Sequence, residues 1–256
     1  MFKTIRISIL LLVLLFVVLN TWLTQKRSTD WNNSLRMKVY PINADGSPET
    51  ARYIASLSSD TFSAIEDFMR KETERYGGTL ERPVRVSLGE PITEQPPKIK
   101  PDASVLDIML WSLKMRWWVG SSTSDQDSIE PDVSMFVRYH SQGGKIRLEN
   151  SLGVQKGMYG IVNAYAGRRY AGSNNVIIAH ELIHTLGGTD KYEPGSGQPL
   201  NPDGLAEPQR TPLYPQRYAE IMGGRVALAA DDAVIPKSLK YAVIGELTAS
   251  EIRLTD

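Results

Sequence analysis

One stretch constrains this chain more than any other: His180-Glu181-Leu182-Ile183-His184, followed by Thr185-Leu186-Gly187-Gly188-Thr189-Asp190. On a helix, residues four apart lie one above the other on the same face. Both imidazoles of an H-E-x-x-H can therefore reach one metal ion. Glu181 stands beside the first of them, where it can act on water rather than on the metal. Upstream, Asn174-Asn175 offers a cap and Val176-Ile177-Ile178-Ala179 an apolar run, which together predict the start of a buried helix. A helix that carries two ligands has to end before the chain can offer a third. Gly187 permits the left-handed turn such an end requires. Asp190, three residues further on, is a short carboxylate placed to complete a three-ligand site. Zinc accepts imidazole nitrogen and carboxylate oxygen, and a catalytic zinc keeps its fourth position for water.

Other carboxylates and imidazoles compete for the third place. Glu207 and Glu220 lie downstream, where a glutamate ligand would make the site gluzincin-like, and His140 is the only other histidine. The Gly187 and Asp190 spacing favours Asp190 over all three.

The run H-E-x-x-H-x-x-G-x-x-D resembles the metzincin zinc-peptidase signature, with aspartate in place of the last histidine as in snapalysin-type peptidases. Ala219-Glu220-Ile221-Met222-Gly223-Gly224 is similar to the methionine-containing turn of that family, with Met222 as its methionine. The likeness spans roughly residues 157–224. Position 224 is glycine, so the tyrosine that astacins place two residues after the methionine is missing. The resemblance implies an α+β catalytic domain with a mixed twisted sheet, a zinc-binding active-site helix and a Met-turn. It also implies a strand upstream of that helix, at residues 158–166, as the sheet edge that pairs with an extended substrate.

The N-terminus reads differently. Lys3 and Arg6 precede an apolar run from Ile7 to Leu19, and the residues at the usual cleavage spacing are not small. This predicts an uncleaved signal anchor over residues 1–24, a linker over 25–34 and a metallopeptidase domain over 35–256. The expected location is membrane-anchored, with the domain extracytoplasmic, or secreted if the segment is cleaved. Formal net charge is zero, from 29 basic and 29 acidic residues, so no basic excess points to nucleic acid. The chain has no cysteine, which excludes disulfides and thiolate ligands.

Along the chain, alternation predicts strands at 35–40, 84–88 and 133–139, the first ended by Pro41. Helical spacing predicts helices at about 60–76 and 102–117, the second capped by Asp102, with Val105, Leu106, Ile108, Met109, Leu113 and Trp117 available for burial. Ser141 to Gly144 reads as a hairpin turn, and 191–218 as a long loop beside the site. Thr248 to Glu251 matches a capping box opening a final helix.

The expected function is that of a zinc-dependent endopeptidase acting on proteins or peptides. Glu181 would serve as general base, with His180, His184 and Asp190 holding the metal. The alternative from another class is a membrane-anchored binding or assembly protein that keeps zinc as a structural clamp.

Overall fold

The computed structural model describes residues 30–99, 102–123, 131–142 and 151–255, with Arg6, Leu11 and Leu12 besides. The chain forms an α+β structure around a mixed five-stranded sheet. Its strands are β1 (Leu35–Asn43), β2 (Val84–Leu88), β3 (Val133–His140), β4 (Leu152–Val154) and β5 (Tyr159–Tyr165), in the order β2-β1-β3-β5-β4. The first three and β5 run parallel; β4 is antiparallel to β5.

Strand side chains alternate between faces, and here the alternation builds two cores. Leu35, Met37 and Val39 of β1 join Val133, Met135 and Val137 of β3 on one face. Tyr40, Ile42 and Phe136 point to the other, where Met115 and Trp118 meet them. Helices α1 (Pro48–Ala55), α2 (Ser63–Arg75) and α4 (Ala171–Leu186) contribute to the first core, and α3 (Val105–Thr123) to the second. A short α5 (Glu246–Glu251) closes the first core near the C-terminus.

Several elements differ from the sequence expectation. β1 runs through Pro41 to Asn43. The missing N–H of Pro41 faces the side of β2, and β2 has ended opposite Val39. Helix α1 was not anticipated, although Ser47 caps it by accepting the Thr50 N–H and Pro48 occupies the first turn. Helix α3 is capped by Ser104, not Asp102: Ser104 Oγ accepts the Asp107 N–H, and Asp107 accepts the Ser104 N–H in return. Its apolar residues were expected to be buried, yet Val105, Leu106, Ile108, Met109, Leu113 and Trp117 are exposed. Val105, Met109, Leu113 and Trp117 follow one another at four-residue spacing on one face, while Met115 and Trp118, on another face, meet the sheet. Helix α5 starts at Glu246 behind Gly245, so Thr248 lies inside it and does not cap it.

Among the described residues, β4 and not the strand upstream of the helix forms the sheet edge on this side. β5 is hydrogen-bonded on both sides, to β3 and to β4. The hairpin turn expected at 141–144 lies partly outside the described residues.

The membrane-anchored location is corrected: among the described residues no helix is long and apolar enough to cross a membrane. The segment expected to supply it, 1–24, lies outside the described residues apart from Arg6, Leu11 and Leu12. Within the expected linker, Trp31 packs against the first core and donates its indole N–H to Ile252 O at 2.8 Å.

Candidate metal centre

The site is built on the last turns of α4. That helix begins earlier than the asparagines at 174 and 175, which are buried inside it rather than capping it. Asn174 donates to Tyr165 O at 2.9 Å, tying the helix to the end of β5. Asn175 donates to Thr61 O at 2.9 Å, just before α2. Ile178, Ala179 and Leu182 bury the opposite side in the first core, with Val176 and Ile183 packed at its margin. The helix is thereby held by packing on one side, and His180 and His184 are left on its open side.

Gly187 ends the helix with φ +110°, in the left-handed region. Gly187 N–H bonds to His184 O at 3.1 Å and Gly188 N–H to Ile183 O at 3.0 Å, a Schellman ending. The turn brings Asp190 back over the helix. Its Oδ1 lies 3.2 Å from His180 Nε2 and 3.0 Å from His184 Nε2.

Both rings are oriented by backbone carbonyls. His180 Nδ1 lies 2.8 Å from Ile221 O and His184 Nδ1 lies 2.8 Å from Gly188 O. A carbonyl can only accept, so each Nδ1 carries the proton and donates it. In the neutral rings the lone pairs are then on the two Nε2 atoms, which converge on Asp190. The rings stand edge to face, with centroids 4.7 Å apart. Ligand atoms of His180, His184 and Asp190 all lie within 4.8 Å of one another, so this group could hold a metal ion. The donor set of two imidazoles and one carboxylate suits a first-row divalent cation.

The electrostatics agree with a cation-seeking site. For Asp190, burial alone would raise the pKa, but the hydrogen bonds and charges of His180 and His184 outweigh it and hold the carboxyl well below its usual range. For His180, burial opposes protonation; Asp190, Glu181 and the Ile221 carbonyl outweigh that and shift the ring upward.

Glu181 is 4% exposed, and its Oε2 is buried without a hydrogen-bond partner. Burial raises its pKa, against the lowering effect of His180 and His184. An orphaned buried carboxylate oxygen is costly, and this one stands beside His180 and His184.

Edge strand β4 passes directly over this part of α4. A Cβ on Gly153 would sit 2.6 Å from Glu181 O and from His184 Cβ. Glycine is what allows the edge strand to come this close. Neither Gly153 nor Tyr192 was singled out from sequence. The Tyr192 ring lies 6.3 Å from the His180 ring. Its phenol is pushed up to about 12, first by burial and then by Asp190, to which it is hydrogen-bonded. The only sequence signal for Tyr192 is its place two residues after Asp190.

The rival ligands are elsewhere. Glu220 is fully buried, accepting from Gly223 N–H, Gly245 N–H and the Thr248 hydroxyl at 2.7, 3.0 and 2.7 Å. Glu207 is paired with Arg217. His140 Nε2 lies 3.2 Å from Asn163 Oδ1. Met222 is fully buried in the first core, one residue after the carbonyl that holds His180.

Fold and site together define an α+β protein with a histidine–histidine–aspartate group able to hold a metal ion. The chain matches no protein-family model and no curated protein sequence. One solved structure, described as a chaperone-substrate complex, is similar to it at 16% identity with a TM-score of 0.41. That similarity covers 86% of this chain, which spans 33% of the other.

Proposed function

We propose that this chain is a metzincin-type zinc endopeptidase whose zinc is held by His180 Nε2, His184 Nε2 and an Asp190 carboxylate oxygen. The observation that carries the reading is the convergence of those three ligand atoms beside a buried glutamate oxygen with no partner. The antiparallel edge strand over the helix, the Schellman ending at Gly187 and the buried Met222 support the family assignment.

When bound, zinc supplies Lewis acidity, polarising a carbonyl and lowering the pKa of a water. The chain's own groups do the rest. Glu181 Oε2 takes one proton from the attacking water as its oxygen bonds to the scissile carbonyl carbon. It then returns that proton to the leaving nitrogen as the C–N bond breaks. Its raised pKa brings the carboxylate closer to the affinity that this exchange needs near neutral pH. The Tyr192 phenol donates its proton to Asp190 and so helps orient the carboxylate that would hold the metal. β4 is the last strand in the sheet order, and its outer backbone groups can pair with an extended peptide, a mode tolerant of sequence. The substrate class is therefore an unfolded protein or flexible peptide.

The test is hydrolysis of an unfolded protein by the purified chain. Activity abolished by a chelator and restored by zinc is the expected result. Glu181→Gln should retain the metal and lose roughly a hundred- to ten-thousand-fold in rate. A chelator-insensitive hydrolysis, or none from the zinc-loaded protein, overturns the reading.

A further inference from the structure

Asp190 is 42% exposed, so burial does not hold it in place. Its two neighbours are held instead, and by one carboxylate. Thr189 donates its N–H to Glu251 Oε2 at 3.0 Å and its hydroxyl to Glu251 Oε1 at 2.6 Å. Lys191 donates its ammonium to Glu251 Oε2 at 2.7 Å. These contacts span 62 and 60 positions of sequence. The same ammonium donates to Thr189 O at 3.0 Å, closing a ring of hydrogen bonds around the backbone of Asp190. The Lys191 N–H donates to Met222 O at 2.9 Å, so the bracketed loop is also tied to the turn that orients His180.

The far end of this bracket is fixed as well. Glu251 is the last residue of α5, and the start of that helix is anchored by Glu220, which accepts from Gly245 N–H and the Thr248 hydroxyl. Ala249 and Ile252 are buried in the first core.

We propose that Glu251 is a positioning residue for the metal centre, its carboxylate bracketing Asp190 from both sides and setting where the third ligand oxygen stands. This rests on the metal-centre reading above and extends it to the C-terminal helix. The reason is the cost of an uncompensated charge. The Lys191 side chain is only 4% exposed, and Glu251 is its carboxylate partner. Without Glu251, a nearly buried ammonium keeps only the oxygens of Thr189 as hydrogen-bond acceptors, with Glu220 as a charged neighbour that it does not touch. Burying an unpaired charge is expensive, so the ammonium moves toward water and carries the loop with it. Groups that orient a metal ligand from behind typically contribute ten- to a hundred-fold to metal affinity.

The experiment is a double-mutant cycle on zinc affinity in the full chain, read by competition with a chromophoric chelator well below each variant's Tm. Glu251→Ala should weaken zinc binding about ten- to a hundred-fold. In an Asp190→Ala background it should weaken binding far less, because the ligand it positions is already gone. A merely structural role would weaken both backgrounds equally. Glu251→Gln, which keeps a hydrogen-bond acceptor for Thr189 but removes the charge, serves the same cycle if the alanine variant does not fold. Equal losses in the two backgrounds, or no loss in either, overturn the proposal. His180→Ala is the control: if it keeps full zinc affinity, the metal-centre reading itself fails.

Discussion

The carbonyl of Ile221 accepts the Nδ1–H of His180 at 2.8 Å, across 41 positions of sequence. The first imidazole of the helix is therefore aimed by the turn that carries Met222. Met222 is fully buried beneath that turn. Met222→Leu conserves volume and should cost under about 1.5 kcal/mol. Met222→Ala should cost roughly 2–5 kcal/mol and weaken metal binding by letting the Ile221 carbonyl shift. Urea unfolding together with zinc titration checks both effects. An alanine variant that is destabilised yet binds zinc normally would separate the turn from the site.

Metal analysis tests the ligand set directly. One zinc per chain is expected, lost in His180→Ala and in His184→Ala and bound more weakly in Asp190→Ala. The basis is the mutual approach of their ligand atoms, all within 4.8 Å. Full occupancy in both histidine variants would exclude the site.

The approach of β4 to the helix makes a steric prediction. Gly153→Ala places a Cβ 2.6 Å from the carbonyl oxygen of Glu181 and from the His184 Cβ. Those atoms belong to a helix packed from behind and cannot yield freely. The variant should lose about 1–3 kcal/mol of stability, a typical overpacking cost. It should also lose activity more steeply than stability, because the displaced strand is the proposed peptide-binding edge. Wild-type turnover in Gly153→Ala would show that the edge strand is not needed at this distance.

Acid sensitivity follows from Glu207. Its carboxyl is held below the usual range, first by the hydrogen bond from Arg217, with burial opposing. The folded-state pKa is thus lower than the unfolded one, and folding favours the ionised form. The stabilisation is complete above the ordinary carboxylate value of about 4.3 and is lost as pH falls below it toward the folded value. Glu207→Gln should therefore show a shallower fall of Tm between about pH 5 and pH 3 than the parent chain. Identical slopes would mean that the pair contributes nothing to folding.

Much of the site was legible before the fold. The spacing of His180 and His184, the glycine that ends the helix and the short carboxylate after it are local features, and local geometry follows from local sequence. Alternation likewise marked most strands of the parallel sheet, because the period of two reports which face is buried. Helix α1 and the true cap of α3 were missed for a local reason too. Ser47-Pro48 fits a turn as well as a helix start, and Asp102 and Ser104 offer competing caps two residues apart.

What only the tertiary structure decided are the long-range pairings. Sequence admitted Asp190, Glu207, Glu220 and His140 beside the two histidines. The fold spends Glu220 on the start of α5, Glu207 on Arg217 and His140 on Asn163, leaving Asp190 to face the pair. It made β4 rather than β5 the edge, brought Gly153 over Glu181, and set Glu251 behind Asp190. The sequence by itself determined which residues can share a helical face and where that helix must stop, because backbone sterics act within a few positions. Which carboxylate meets the histidines depends on burying apolar faces tens of residues apart, and no short window of sequence contains that information.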